Sequence, residues 1–444
     1  MTPRHKDLGN PLYVAWLENL RMHEGRDSRG MDLANLLRML TWAYENAPGY
    51  RALYDEAGMS PGDLRSVDDL RRFPSVDKTM IRSDLEAFSV PLRGRTRTAT
   101  GGSTGVPFEF YRDPATFSRE LASKAHQYHR VGWQEGDRQL VLRGLVIESP
   151  DHVEFVPEFN ELRCSSYHLT PTWMEYYYRR ALAYRPEWVR CYPSSGYVFA
   201  RWLKETDREF PPLKGVLCAS ENLYDFQKQV LDEVFGGRIF SHYGHYECAV
   251  LAGYCEHADT YHVLPQYGYA ELVDGRGRPV TTPGQVGEIV ATSFINHATP
   301  FVRYRTEDLA LYAGDRCPAC GRQHQIWKRV EGRLQEIVVT ASGRPLSMSM
   351  LNMHDSTYDG IRQFRFRQTT PGELIFEYVP QDGHDGAAGR IERRFAAKLG
   401  DDMRLIARAV ERIPLTRRGK HRLLVQELDT GYDHPLLSEP LRLT

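Results

Sequence analysis

Thr100-Gly101-Gly102-Ser103-Thr104-Gly105-Val106-Pro107 packs three glycines and three hydroxyl side chains into its first six residues. Glycine lets the backbone approach an anion closely and turn its N–H groups toward it, and the Ser103 and Thr104 hydroxyls add donors to the same oxygens. The stretch therefore reads as a phosphate cradle. It is not a Walker loop, because the lysine of G-x-x-x-x-G-K-[ST] is absent. The same composition also builds ordinary surface loops, so the rest of the chain has to decide between the two.

At 444 residues the chain exceeds one compact core and implies at least two domains. A formal net charge of -1 offers no electrostatic lure to nucleic acid or an anionic membrane, which leaves a small molecule as the expected partner. No run of 18 apolar residues occurs, and the first 25 residues lack a continuous apolar stretch, so the expectation is a cytoplasmic protein without a membrane segment. Seven cysteines, an odd number, argue against a disulfide framework and for thiols that are reduced, buried or metal-bound. Internal repeats and low-complexity segments are not evident.

Leu33, Leu36, Leu37, Leu40, Ala43 and Tyr44 recur at helical spacing, and residues 11–90 read as a helical lead-in. From about 98 to 300, apolar runs such as Gln139-Leu140-Val141-Leu142 and Gly215-Val216-Leu217-Cys218 alternate with helical stretches, the pattern of α/β architecture. Residues from about 250 to 334 read as β-rich. Beyond Glu336 the order is strand, strand, helix, strand (362–368, 373–379, 390–399, 403–413), a small α+β domain. The expected fold class is α/β. A large N-terminal domain (1–334) of sheets flanked by helices, with a β-rich part, precedes a small mobile α+β domain (335–444).

Further motifs follow the glycine-rich stretch in a fixed order: Leu217-Cys218-Ala219-Ser220-Glu221-Asn222, Tyr243-Gly244-His245-Tyr246-Glu247, Phe301-Val302-Arg303-Tyr304-Arg305-Thr306-Glu307-Asp308, Val330-Glu331-Gly332-Arg333, and Pro414-Leu415-Thr416-Arg417-Arg418-Gly419-Lys420. In that order they resemble the adenylate-forming, or acyl-CoA synthetase, superfamily. Leu64-Arg65-Ser66-Val67-Asp68-Asp69-Leu70, the stretch 74–82 and Tyr192-Pro193-Ser194-Ser195 look most like the branch of phenylacetate-CoA ligase and the capsular-polysaccharide-type proteins. The resemblance covers most of the chain.

The resemblance implies an ATP- and Mg²⁺-dependent enzyme. Thr100, Gly101, Gly102, Ser103, Thr104 and Gly105 would grip the β- and γ-phosphates, and Glu247 would hold Mg²⁺, a hard ion suited to carboxylate oxygen. Asp308 would accept both ribose hydroxyls with its two oxygens. Arg333 would reach the same nucleotide and Tyr243 would line the adenine, with Ser220, Glu221, Gly244 and Tyr246 nearby. Lys420 would bridge the substrate carboxylate and the α-phosphate, a role suited to a long, flexible point charge. A hinge at Gln335 or Glu336 would rotate the small domain between half-reactions. Tyr192, Ser194, Tyr224, His242 and His245 flank the matched motifs and are candidates for the acid's pocket. Three positions depart from the usual pattern: Tyr246 where Thr is common, Glu307 where Gly precedes the Asp, and Phe108 where many relatives carry Lys.

Cys317-Pro318-Ala319-Cys320 is a C-x-x-C, with Cys255-Glu256-His257 upstream. In a reduced protein this suits tetrahedral zinc, and Cys255, His257, Cys317 and Cys320 form the expected closed, structural set. His262 and His324 compete for the fourth position, and Cys248 is a weaker candidate. A redox pair is the other reading of C-x-x-C. Cys164, Cys191 and Cys218 read as buried small hydrophobes.

The expected activity is ATP-dependent conversion of a carboxylic acid, with an aromatic acid as the expectation, to an acyl-AMP with release of pyrophosphate. Transfer to coenzyme A leads as the second step. The alternatives are an amine acceptor giving an amide, activation of another oxyanion, and a catalytically silent nucleotide-binding scaffold. The oligomeric expectation is a monomer or homodimer.

Overall fold

The computed structural model describes residues 9–24, 29–100, 108–333, 337–343, 345–347, 351, 353, 356–381, 386–415 and 421–428. Helices α1 (Pro11–Met22), α2 (Arg29–Asn46), α3 (Pro48–Glu56) and α4 (Lys78–Ser83) precede the hairpin of β1 (Thr96–Ala99) and β2 (Glu109–Arg112), then α5 (Pro114–Arg130). Next come β3 (Gln139–Arg143), β4 (Val153–Val156), β5 (Glu161–Ser165), α6 (Pro171–Tyr184), β6 (Trp188–Cys191), α7 (Pro193–Glu205), β7 (Gly215–Ala219), α8 (Asp225–Phe235) and β8 (Arg238–Gly244). Strands β9 (Leu251–Tyr254), β10 (Tyr261–Val263), β11 (Gly268–Val273), β12 (Val286–Ser293), β13 (Tyr304–Gly314) and β14 (Ile326–Arg333) follow. The chain continues through β15 (Ile337–Val339), β16 (Pro345–Ser347), β17 (Ile361–Thr370), β18 (Glu373–Pro380), α9 (Ala387–Leu399), β19 (Arg404–Ala409) and β20 (Leu424–Gln426). The fold is α/β, as the alternating pattern implies.

Two compact units form: the described residues of Met1–Glu135 and His242–Val330 make one, those of Gly136–Ser241 and Glu331–Glu439 the other. In the first unit the strand order is β11-β12-β13-β14-β10-β9, with His242–Gly244 of β8 paired to β9. Every residue of β12 is buried, which is why its sequence, Val-Gly-Glu-Ile-Val-Ala-Thr-Ser, does not alternate cleanly. Helix α5 starts where Asp113 accepts the N–H groups of Ala115 and Thr116 and Pro114 fills the first turn, and it buries Leu121, Ala122, Ala125 and Tyr128. Trp16 of α1 donates to Ser123 of α5 at 2.9 Å, and Trp42 of α2 donates to the His297 carbonyl at 3.0 Å.

In the second unit β5, β3, β6 and β7 run parallel, with β4 antiparallel at the edge. Their apolar runs are continuous because both faces are covered. Gly196 of α7 is required by close approach, since a Cβ there would lie 2.5 Å from Cys191 Sγ on β6. The Trp173–Tyr178 aromatic cluster lies on α6, which buries Met174, Tyr177 and Ala181. The α+β layer expected near the C-terminus has strand order β19-β18-β17-β20 and is filled by Phe364, Phe366, Phe376 and Phe395. The expected boundary at 334/335 and the hinge residues Gln335 and Glu336 lie outside the described residues. Among the described residues, no helix is long and apolar enough to cross a membrane.

Candidate functional site

In the first unit two of the motifs are tied to each other. Tyr243 on β8 donates its hydroxyl to Asp308 Oδ2 on β13 at 2.7 Å, while Tyr304 on β13 donates to Glu247 Oε1 at 3.1 Å. The Tyr243 ring packs edge-on to Trp327 at 5.7 Å. Burial, reinforced by the Asp308 charge and hydrogen bond, pushes the Tyr243 phenol well above its usual range, so it remains a donor. Asp308 is itself buried and its N–H reaches Thr306 Oγ1 at 3.1 Å.

Glu247 is 5% exposed, and its second oxygen accepts from His245 Nδ1 at 3.1 Å. Burial alone would raise its pKa, but the His245 hydrogen bond and the charges of His245 and Lys78 outweigh that and hold it at about 2. An ionised carboxylate oxygen carries two lone pairs, so each oxygen of Glu247 keeps capacity for a hard cation. His242 meets the Tyr128 hydroxyl at 3.3 Å and lines the same strand.

Glu307 has φ 66°, the left-handed region that favours glycine, the residue that the resemblance leads one to expect at this step. Lys78 holds the strained residue: its Nζ lies 2.9 Å from Glu307 Oε2 and donates to the Thr306 carbonyl at 3.3 Å. Phe108 is buried, stacked on Phe110 and Tyr304 at ring distances of 5.8 and 6.3 Å.

The β1–β2 hairpin forms the stem of the glycine-rich stretch, with Thr100 N–H donating to the Phe108 carbonyl at 2.9 Å. Gly101, Gly102, Ser103, Thr104 and Gly105 lie outside the described residues. The stem meets the Tyr243–Glu247 motif: Thr98 Oγ1 donates to the Tyr246 hydroxyl at 3.3 Å, and the Arg112 guanidinium covers the Tyr246 ring at 3.9 Å. Arg112 also donates to the Tyr246 carbonyl. Gly244 is the last residue of β8, and Arg333 the last of β14.

In the second unit three of the five pocket candidates, Tyr192, Ser194 and Tyr224, follow the C-terminal ends of parallel strands, whereas His242 and His245 belong to the first unit. Tyr192 caps α7, and Glu221 after β7 accepts the Ser194 N–H at that helix's N-terminus at 3.0 Å, where the macrodipole favours an anion. Its other oxygen accepts the His421 N–H at 3.0 Å. Lys420, next in the chain, lies outside the described residues. Burial and the Arg365 charge push His421 down to about 4, so the ring is neutral near pH 7. A small cleft opens here between Ser194, Tyr197, Phe226, Phe364 and His421. Tyr224 caps α8 and stacks on Phe226 at 6.1 Å. Ser220 has φ 71° and accepts from Arg143 Nη2 at 2.7 Å. The sequence signal for Arg143 is slight, a charge ending the run Gln139-Leu140-Val141-Leu142.

Cys255, His262, Cys317 and Cys320 place one ligand atom each within 4.8 Å of one another. Cys317 and Cys255 sulfurs are 3.9 Å apart, and Cys320 Sγ is 3.8 Å from His262 Nε2. A zinc tetrahedron with its usual bond lengths has edges of roughly 3.5–3.8 Å, so the set fits. His257 is not in this set, contrary to the expected grouping with Cys255: its backbone N–H donates to Cys255 Sγ at 3.4 Å instead. The ring comes from across the hairpin, where β10 pairs His262 with Gly253 of β9. Backbone N–H groups of Cys320 and Ala319 overcome burial and favour the Cys317 thiolate. His324 stands 5.4 Å from the His262 ring, outside the set, and burial pushes both rings down to about 3, the neutral form a metal requires. Arg130 and Arg322 pair with Glu256 at 2.8 and 2.5 Å around the cluster. Cys248 packs with Leu20, Leu251, Tyr267 and Ile295, away from this set, while Cys164, Cys191 and Cys218 are buried as expected.

No family model matches the chain. Phenylacetate-coenzyme A ligase of Thermus thermophilus is 27% identical over 328 residues, covering 70% of this chain and 71% of that protein. Protein CapK of Staphylococcus aureus is 19% identical over 420 residues, 92% of this chain and 91% of its own length. Among solved structures, 2-hydroxyisobutyryl-CoA ligase in the postadenylation state aligns with TM-score 0.73 at 19% identity over 91% of both chains. In sequence the chain is similar to phenylacetate-coenzyme A ligases and to CapK, and it shares the fold of an acyl-CoA ligase of the adenylate-forming kind.

Proposed function

We propose that the protein joins a carboxylic acid to coenzyme A in two steps, through an acyl-adenylate. The substrate carboxylate attacks the α-phosphorus of ATP and pyrophosphate leaves; the thiol of coenzyme A then attacks the acyl carbon and AMP leaves. The observation that carries this reading is the pair of hydrogen bonds, Tyr243 to Asp308 and Tyr304 to Glu247, that locks two nucleotide-binding motifs together.

Charge grows on the α-phosphate and on the departing pyrophosphate, so the site needs preorganised donors and cations. Asp308, oriented by Tyr243, takes the ribose hydroxyls. Ser103, Thr104 and the glycine N–H groups take the terminal phosphates, and Arg333 reaches the nucleotide. Glu247, buried and ionised, is the residue that would hold Mg²⁺, which supplies charge neutralisation on the phosphates when bound. Lys420 positions the carboxylate against the α-phosphate, on a lid formed by residues 335–444 with its hinge at Gln335 or Glu336. Cys255, His262, Cys317 and Cys320 would hold a structural zinc with no open position, tying the β9–β10 hairpin to the loop before β14. Reduced thiols, ATP and coenzyme A make the cytoplasm the setting this reading requires.

The test is pyrophosphate release across a panel of acids, led by aromatic ones because curated relatives are named for phenylacetate. Acid-dependent release, followed by thioester when coenzyme A is added, is the expected result. Amide formation with an amine in place of the thioester would reassign the acceptor, and no acid dependence would overturn the reading.

A further inference from the structure

Arg143 ends β3, at the C-terminal edge of the parallel layer β5-β3-β6-β7, where ligands of open α/β sheets bind. Its guanidinium lies over the Tyr192 ring at 4.7 Å and donates to Ser220 Oγ at 2.7 Å. Its Nε is buried without a partner, and among the described residues no carboxylate pairs with it. The acid next to Ser220 is committed elsewhere, since both Glu221 oxygens accept backbone N–H groups. Other arginines of the same sheet have carboxylate partners: Arg190 pairs with Glu161 at 2.7 Å, and Arg163 with Glu161 at 2.8 Å and Glu154 at 3.7 Å. Ser220 meanwhile holds a left-handed φ of 71°, a strained conformation for a residue with a side chain and one that accumulates at ligand sites.

We propose that Arg143 selects acids that carry a second carboxylate, distant from the one that is activated. This rests on the acid-activating reading above, in which the reacting carboxylate belongs to Lys420. A planar fork held by an aromatic stack and one hydroxyl is preorganised for a planar, bidentate anion, and carboxylate meets that geometry. Tyr192, Ser220 and Tyr224 surround the same edge and would cover the body of such an acid.

Two matched pairs test it with the full-length protein: phenylacetate against 4-carboxyphenylacetate, and butyrate against succinate. The wild type is expected to favour the dicarboxylate of each pair in kcat/KM for pyrophosphate release. Arg143→Met is expected to lower that preference ratio by about 10- to 100-fold, the range of a charge-assisted hydrogen bond, while Arg143→Lys, which keeps charge but not the fork, falls between. Circular dichroism checks that each variant is folded. An unchanged ratio in Arg143→Met overturns the inference, whether the four rates stay level or fall together; the second case places Arg143 on the reacting groups. A wild type that activates other acids but neither dicarboxylate also overturns it. Failure of the wild type with every acid is a separate outcome, which overturns acid activation itself and the inference with it.

Discussion

The Tyr243 hydroxyl sits 2.7 Å from Asp308 Oδ2, so the residue expected to line the adenine also fixes the carboxylate expected to hold the ribose. Tyr243→Phe keeps the ring against Trp327 and removes only that donor. The expected result is a rise of about 10-fold in the KM for ATP, in line with a hydrogen bond to a charged group, with little change in melting temperature. An unchanged KM would detach Asp308 from nucleotide binding.

Acid sensitivity follows from two carboxylates of the first unit, Glu247 buried and Glu120 partly buried. Burial opposes ionisation of Glu120, but Lys124, Tyr267 and Arg112 hold it at about 2, as His245 and Lys78 hold Glu247. Both lie below the ordinary value of 4.5, so the folded state binds these protons more weakly than the unfolded chain. Their contribution is complete above about pH 4.5 and is lost as pH falls toward about 2. Urea midpoints measured down that window are expected to fall in the wild type and to fall less steeply in Glu120→Gln. Lys124→Met strands the Glu120 charge and is expected to cost about 3 kcal/mol near pH 7.

The candidate metal set separates two histidines, His262 inside it and His257 outside. Purified protein is expected to carry about one zinc per chain; His262→Ala and Cys317→Ser lose it together with stability, because structural zinc binding is folding free energy. His257→Ala is expected to keep the metal. Loss of zinc in His257→Ala but not His262→Ala would reverse the assignment.

The architecture was legible where one pattern has one meaning. Leu140–Leu142 and Val216–Cys218 are apolar without a break because parallel strands are covered on both faces, and the C-terminal strand and helix order follows its period changes. The histidine of the candidate metal set was only half legible: the sequence offers His257, His262 and His324, and Cys-Glu-His is adjacent in sequence whereas His262 arrives by antiparallel register. Glu307 shows a third case. Its departure from glycine is visible in sequence, but the compensation by Lys78, 229 positions away, exists only in the fold. Arg143 is the same kind of case: that no carboxylate among the described residues pairs with it is visible only in the fold.

Lys420→Ala is expected to lower acid-dependent pyrophosphate release by several orders of magnitude, while thioester formation from a supplied acyl-adenylate survives better. Equal loss of both steps would make Lys420 a general structural lysine.

Oxygen tracing tests the acyl-adenylate itself. An accepted acid labelled with ¹⁸O in its carboxylate is turned over with ATP and coenzyme A, and the phosphorus products are analysed by mass. Attack of that carboxylate on the α-phosphorus leaves one labelled oxygen in AMP after the thiol displaces it. The account predicts labelled AMP and unlabelled pyrophosphate; label in inorganic phosphate, or thioester formed with unlabelled AMP, would contradict it.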